Sequence, residues 1–485
     1  MHVLMNKIMN NIKILLLSVT LLISITGCKK YLTVEPAQET TKDKLFASTQ
    51  GYTDALVGIY IDMRKNYSPS SFFVNGGVEF MAQLYYSNKP ATLNYELIHH
   101  DYTATEADQS LGTTFINQYN VLANINSLLD ALSTQTILET RVAKLIEGES
   151  LALRAFNHFD MIRLYGPMPG NAGTKTYLPY VTSVTKDAIP YDTYTSYMTK
   201  LLADLDKAEP LLQTYDPIVK YAPYSLNTTW ASKSEYTSMF WYYRQNRMNY
   251  YAVLGLKARV YLWMGDKENA LKYALMVINA VNTDNNTKKF SFGVRANLSA
   301  KNYVFFTEHL FGLNMTTFDD AGMSSGSQAS NVTPQTRTAV DLYQNIPDLR
   351  SSLFYSVYSY TVGTTCSSTK KYAEMIAATG NNNPFSVPLI RLSEMYLIAS
   401  ECAPLDEANV YFATYRTARE ATSITLTDVN RNSVLLTEYI KEFYGEGQSF
   451  YAYKRFGITD MLWSDHSTGE AQYVLPLPSL ETTNL

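Results

Sequence analysis

The chain has 485 residues, of which 46% are hydrophobic and 17% charged, enough apolar material for a large globular core and more than one sub-domain. Its formal charge is −4 and no basic stripe runs along it, which argues against a nucleic-acid partner. Tyrosine is the outlier, at 39 copies; a ring with a polar tip suits both helix packing and ligand contact.

At the N-terminus, Lys7 and Lys13 precede an apolar run over residues 14–25. The run is too short to span a bilayer and has the length of a signal-peptide core. It ends Ile25-Thr26-Gly27-Cys28, small residues before a cysteine, as in a bacterial lipobox. The expectation is a lipoprotein signal peptide over 1–27 and a lipid on Cys28, which would hold the chain on a membrane without crossing it. Loss of Lys7 and Lys13 takes the charge from −4 to −6. Residues 28–44 are polar, include Pro36, and read as the tether.

The body, 45–485, alternates helical and irregular stretches. Tyr52, Ala55, Leu56 and Ile59 mark one face of a helix at about 46–64. Residues 66–111 lack a helical period but hold Phe72, Phe73, Tyr85, Tyr86, Asn88, Tyr95, His99, His100 and Tyr102. A long irregular segment this aromatic reads as functional rather than disordered. Helices follow at about 113–131 and 136–165. The second carries Ala152, Ala155, Phe156, Phe159 and Ile162 on one face and is stopped by Gly166-Pro167. Another helix, about 191–212, has Met198, Leu201, Leu202 and Leu205 as its stripe. Residues 215–247 form a second aromatic insertion with Trp230, Trp241 and Tyr242.

Residues 251–280 read as a helical hairpin turned and capped by Gly265-Asp266. Residues 388–420 read as a second hairpin, with Leu389, Leu392, Tyr396 and Ala399 before Pro404 and Ala408, Phe412 and Tyr415 after it. The spacing is that of tetratricopeptide repeats, degenerate and far apart. Between them, 302–306 and 353–358 read as short strands or extended loops, and 316–335 as an exposed loop. The expected fold is mainly α (α+β), with helical hairpins about 45–65, 113–165, 191–212, 248–280 and 388–456. Irregular insertions fall at about 66–111, 215–247 and 281–387.

Catalytic signals are weak. Gly322-Met323-Ser324-Ser325-Gly326 fits a nucleophile elbow in spelling, yet lies in a small-residue loop rather than between a strand and a helix. Asp319-Asp320 could form a carboxylate pair, and His99-His100-Asp101 could ligate a metal, but no spaced Cys/His cluster supports it. Cys366 and Cys402 are too few for a disulfide framework. No phosphate loop, dinucleotide fingerprint or calcium loop is present. A binding protein without cofactor or metal is the expectation.

Four stretches carry a family resemblance. ALRAFNHFDMIRLYGPMP (152–169) resembles the signature helix of the SusD/RagB family, surface lipoproteins that capture nutrients for an outer-membrane transporter. Residues 387–401, VPLIRLSEMYLIASE, resemble another helix of that family. The run Glu442-Phe443-Tyr444-Gly445-Glu446-Gly447 is similar to its C-terminal motif, and Leu475-Pro476-Leu477-Pro478 with Glu481 to its closing segment. The usual Arg-Trp and Asp after the second glycine are replaced by Gln448-Ser449-Phe450-Tyr451-Ala452-Tyr453, so the starch specificity of the prototype is not carried over. The resemblance implies a SusD-like fold and a non-catalytic, lipid-anchored protein of the cell outer membrane. It further implies delivery of glycan, or alternatively peptide, to a SusC-like TonB-dependent transporter. It places ligand contacts in the early insertion, at Tyr85, Tyr86 and Asn88, with Trp230, Trp241 and Tyr242 next. A surface hydrolase using the 319–324 loop and a protein-only tetratricopeptide scaffold are the competing readings.

Overall fold

The helices that start at Tyr194, Tyr250 and Lys267 begin at side-chain caps, Thr193, Asn249 and Asp266, which satisfy amides of the first turn. The structure, a computed structural model, describes residues 42–69, 71–228, 232–315, 332–334, 337–344, 346–359, 363–373 and 386–482. The signal peptide, Cys28, most of the tether, Trp230, Asp319, Asp320 and Ser324 lie outside the described residues. The chain divides into two compact units, Met1–Gly51 and Tyr52–Leu485. In the first, Lys42–Leu45 is a single helical turn with no buried residue. Among the described residues no helix is long and apolar enough to cross a membrane.

In the second unit, α1 (Thr49–Tyr67) buries Leu56, Ile59, Met63 and Tyr67 at helical spacing. The early insertion contains two short helices, α2 (Gly77–Met81) and α3 (Leu93–Ile98). Helix α4 (Thr105–Thr134) starts earlier than the apolar period indicates. Its first turns are polar, and Glu106 and Asp108 sit where the helix dipole favours acids. Helix α5 (Thr140–Tyr165) is antiparallel to it and packs against α6 (Tyr194–Tyr215) on another side. The strands β1 (Thr176–Leu178) and β2 (Asp192–Thr193) pair between α5 and α6.

Helix α5 is buried on every side, not only along its apolar stripe. Its polar residues are matched by partners on other helices, α1 and α6. Arg154 grips both carboxylate oxygens of Asp204 at 2.7 Å, Asp160 accepts from the Tyr67 hydroxyl at 2.7 Å, and His158 lies 2.7 Å from the Tyr197 hydroxyl. Such matching is what makes burial of charge tolerable.

The hairpins are α7 (Tyr250–Met264) with α8 (Lys267–Ile278), and α9 (Leu392–Cys402) with α10 (Leu405–Ala418). Helices α8 and α9 pack on each other. The Asn249 and Asp266 side chains cap α7 and α8, accepting from Ala252 and Asn269 at 3.0 Å. Two differences from expectation concern strands. Residues 388–391 are not helical: Ser386–Arg391 pairs antiparallel with His309–Asn314, from His309↔Arg391 to Asn314↔Ser386. Pro388 disfavours helix there, and both faces of the strand are buried. Residues 302–306, expected as a short strand or extended loop, are a turn, with Phe305 at φ 52°; pairing begins at His309. The stretch 353–358 does form a strand, Phe354–Ser359, pairing with Thr364–Thr369. Both Cys366 and Cys402 are free thiols.

Helices α11 (Arg431–Glu442) and α12 (Ser449–Phe456) flank the Gly445-Glu446-Gly447 motif. Gly447 has φ +72°, and a Cβ there would lie 1.7 Å from the Phe73 carbonyl oxygen, so only glycine fits. Glu446 is held by Arg391 at 2.8 and 3.0 Å and by Lys371. Glu442 binds Arg391 at 2.8 Å and Arg419 at 2.6 Å. The motif therefore docks the C-terminal helices onto the strand and the α9–α10 hairpin.

A tyrosine-lined cleft as candidate functional site

The cleft is built around the C-terminal end of α5. Gly166 turns the chain away from the helix; a Cβ there would sit 2.3 Å from the Ile162 carbonyl oxygen. The Lys454 ammonium, on α12, donates to the carbonyls of Arg163 and Gly166 at 2.8 and 2.9 Å and to Leu164 at 3.3 Å. A cation at a helix C-terminus satisfies both the orphan carbonyls and the dipole. Lys454 is fully buried, and burial pushes its ammonium well below the usual range, with Arg163 adding to the effect. The Leu475 amide donates to the Leu164 carbonyl at 3.2 Å, laying the C-terminal segment across the end of the helix.

These contacts enclose a cleft of about 720 Å³. One wall is the turn after α3, with His100, Asp101, Tyr102 and Thr103; the opposite wall is Lys175, Thr176, Tyr177 and Tyr191; residues 471–477 complete it. The Tyr102 hydroxyl donates to the Gln472 carbonyl and Tyr191 to Glu481, both at 2.6 Å. Tyr177 and Tyr191 are half-buried and show part of their rings. The Lys175 ammonium lies 5.4 Å from the Tyr177 ring centre, within cation–π range.

Tyr165 sits at the inner end. It is 3% exposed, and its hydroxyl has no hydrogen-bond partner among the described residues. Burial, with Asp108, pushes this phenol up, so it is a neutral donor at physiological pH. A buried unpaired hydroxyl is costly, and one in a cleft wall can be satisfied by a hydroxyl-bearing ligand. The cleft thus combines partly open rings, apolar Val474 to Leu477, and scattered hydrogen-bonding groups, with no nucleophile–base pair. Among the described residues no group of three or more His, Cys, Asp or Glu could hold a metal ion. A second cleft, about 540 Å³, lies between α4 and residues 71–97. The rings lining it, Phe72 and Phe80, are 7% and 3% exposed and offer only edges.

A family model described as the SusD family matches residues 237–484. The chain belongs to the SusD family. A second model, described as starch-binding associating with outer membrane, matches residues 30–262. A SusD-like protein P38 from Formosa agariphila is 24% identical over 221 residues, which is 45% of this chain and 41% of that protein. The chain thus spans less than half the length of this relative. Among solved structures, a SusD superfamily protein from Bacteroides thetaiotaomicron superposes with TM-score 0.67 at 20% identity, covering 90% of this chain and 98% of that one. A SusD-like carbohydrate binding protein from Bacteroides vulgatus gives 0.67 at 16%, covering 90% and 96%. The mainly α SusD fold expected from the sequence is the fold observed.

Within this SusD fold the described residues among those expected from sequence, Tyr85, Tyr86, Asn88, Trp241 and Tyr242, do not line the cleft, and Trp230 lies outside the described residues. Tyr85 is 3% exposed, bonded to Asn75 and edge-on to Phe80 and Tyr444 at 5.2 and 5.7 Å. Tyr86 is half-buried and Asn88 exposed; neither lines either cleft. Trp241 is 3% exposed, packed on Tyr236 and Phe240 with the Arg141 guanidinium 4.9 Å away. The buried Tyr242 hydroxyl accepts from the Lys233 amide at 2.9 Å and donates to the Tyr236 carbonyl at 3.2 Å. Tyr85, Trp241 and Tyr242 thus have no open ring face here, because long insertions must bury their own aromatics to hold shape. Of the early insertion, His100 and Tyr102 reach the cleft. Of the other cleft tyrosines, Tyr165 carries one sequence signal, its place beside the Gly166-Pro167 stop, and Tyr177 and Tyr191 carry none that sets them apart from the other tyrosines.

Proposed function

We propose that this protein is a non-catalytic, surface-exposed binding protein of the outer membrane that captures oligosaccharide in the tyrosine-lined cleft. It passes the ligand to a SusC-like TonB-dependent transporter, and a lipid on Cys28 keeps the two at high effective concentration. The observation that carries the reading is the unpartnered, buried Tyr165 hydroxyl at the base of a cleft rimmed by half-open tyrosine rings. Rings stack on the apolar faces of sugars, and neighbouring polar groups take the hydroxyls. Family membership supports it, as does the carbohydrate binding named for the Bacteroides vulgatus structure. In this mechanism the protein is a lid over the transporter barrel, and ligand capture favours closure.

The test is thermal stability of the protein against oligosaccharide and peptide libraries, since a ligand that binds only the folded state raises the melting temperature. The proposal expects a shift with one glycan class, lost in Tyr177→Ala. A shift with peptides alone would replace glycan by peptide as the cargo, and no shift with either would favour a protein-only scaffold.

A further inference from the structure

Two imidazoles touch at the cleft, where His100 lines the wall and His466 stands behind it. His100 Nδ1 lies 2.8 Å from His466 Nε2, His100 Nε2 lies 2.9 Å from the Met81 carbonyl oxygen, and His466 Nδ1 lies 2.8 Å from Asp465 Oδ1. A carbonyl and a carboxylate only accept, so His100 Nε2 and His466 Nδ1 must each carry a proton. The contact between the rings needs a third. Two neutral imidazoles hold two N–H protons between them. The three contacts are therefore satisfied together only when the pair holds one proton more than two neutral rings, and so carries a positive charge.

That charge belongs on His466. Its side chain is 28% exposed and lies against the Asp465 carboxylate, which the imidazole hydrogen bond holds below the usual carboxylate range. His100 is 8% exposed, and burial pushes its imidazole down to about 4. The titratable groups facing His466 are Asp465 on its own turn and His99 and His100 beyond the end of α3. The His99 ring is parallel to that of His466 at 6.1 Å and stacks on Tyr95 at 4.0 Å. The rings of Tyr102 and Phe450 also stand against His100.

The turn that His466 belongs to is under strain. Trp463 has φ +72°, a left-handed conformation that strains a bulky side chain. A few residues further on, Ala471 and Gln472 line the cleft, and the Gln472 carbonyl receives the Tyr102 hydroxyl.

We propose that His466, as an imidazolium, is a positioning residue of the cleft, clipping the strained 463–473 segment to the turn after α3 and releasing it on losing its proton. On deprotonation one of the three contacts fails: two ring lone pairs face each other, or a lone pair faces the Asp465 carboxylate or the Met81 carbonyl. The closed form binds the extra proton, so the clip is present at low pH and is lost as pH rises. Histidine is the side chain that changes charge between pH 5 and 8, so the cleft wall is firm in mildly acidic medium and loosens in alkaline medium. The consequence for capture rests on the cleft being the ligand site; the proton count does not.

The test needs no ligand, so it stands apart from the identity of the cargo. Hydrogen exchange followed by mass spectrometry on the purified full-length protein would compare peptides covering 463–473 at pH 5.5 and 8.0, corrected for intrinsic exchange rates. At least threefold stronger protection is expected at pH 5.5 in the wild type, and equal, weak protection at both in His466→Gln. Nitrogen-15 NMR of the wild-type imidazoles provides a check without substitution: both nitrogens of His466 are expected to be protonated at pH 5.5, and one at pH 8.0. Wild-type protection independent of pH, His466→Gln tracking the wild type, or a singly protonated His466 at pH 5.5 would each overturn the proposal.

Discussion

Glu79→Gln is expected to remove a pH dependence that the wild-type fold carries. Glu79 is fully buried on α2; one carboxylate oxygen accepts from the Gly447 amide, and the other has no partner among the described residues. Burial, with smaller opposing contributions from the Gly447 amide and Lys371, pushes this carboxyl up to about 8 from 4.5. The sign is opposite to that of an ion-paired acid. Between pH 4.5 and 8 the folded protein keeps a proton that the unfolded chain has lost, so folding becomes less favourable as pH rises. The slope is about 1.4 kcal/mol per pH unit. Between pH 5.5 and 7.5 this is on the order of 3 kcal/mol. Glutamine keeps the acceptor for Gly447 and has no proton to lose. At about 2 cal/mol/K per residue, the unfolding entropy of a chain of this size is about 1 kcal/mol/K. The melting temperature of Glu79→Gln, relative to wild type, should therefore climb by roughly 3 °C from pH 5.5 to 7.5. Differential scanning fluorimetry across that range reads the difference. Parallel curves for the two proteins would refute the neutral-acid assignment.

Other expectations follow from the same packing. Lys454→Met strips a cation from three buried carbonyls at the end of α5 and should cost about 3 kcal/mol or more, read as a drop in melting temperature. Gly447→Ala drives a methyl into the Phe73 carbonyl and should cost more than about 4 kcal/mol. Gly265→Ala, at φ +82° with nothing within 4 Å, should cost only about 1–2 kcal/mol, so the two separate clash from backbone strain in chemical denaturation. Tyr165→Phe removes a hydroxyl that bonds to no described residue, so the ligand-free stability should change by less than about 0.5 kcal/mol, measured by the same denaturation.

Sequence pattern made the helical scaffold legible and left the site mostly hidden. Ala152, Ala155, Phe156, Phe159 and Ile162 are all buried as their spacing indicates, because an apolar stripe must face a core wherever it sits. Arg154, His158, Asp160 and Arg163, on the same helix, are also buried. No periodicity could show that, since their partners Asp204, Tyr197, Tyr67 and Gln448 come from other elements. The Gly445-Glu446-Gly447 motif is visible in the sequence, but its reason, close approach of Gly447 to Phe73 and the Arg391 and Lys371 cations around Glu446, is tertiary. The aromatic insertions misled in an instructive way. A tyrosine or tryptophan in an irregular segment has the same chemistry whether it contacts ligand or stabilises the loop, and Tyr85, Trp241 and Tyr242 do the second here. Conversely Tyr165, at the end of a core helix, reaches the cleft only because the distant C-terminal segment docks on the carbonyl of Leu164.

The most direct test of carbohydrate capture in this cleft is calorimetric titration of the glycan class selected by thermal shift into wild type, Tyr165→Phe and the Tyr177→Ala/Tyr191→Ala pair. Loss of two stacking rings should weaken binding by about 2 kcal/mol or more, roughly 30-fold. Tyr165→Phe should weaken it by about 1 kcal/mol, roughly fivefold, while leaving the ligand-free melting temperature in place. A glycan bound equally well by all three proteins would place capture elsewhere on the molecule and contradict the account.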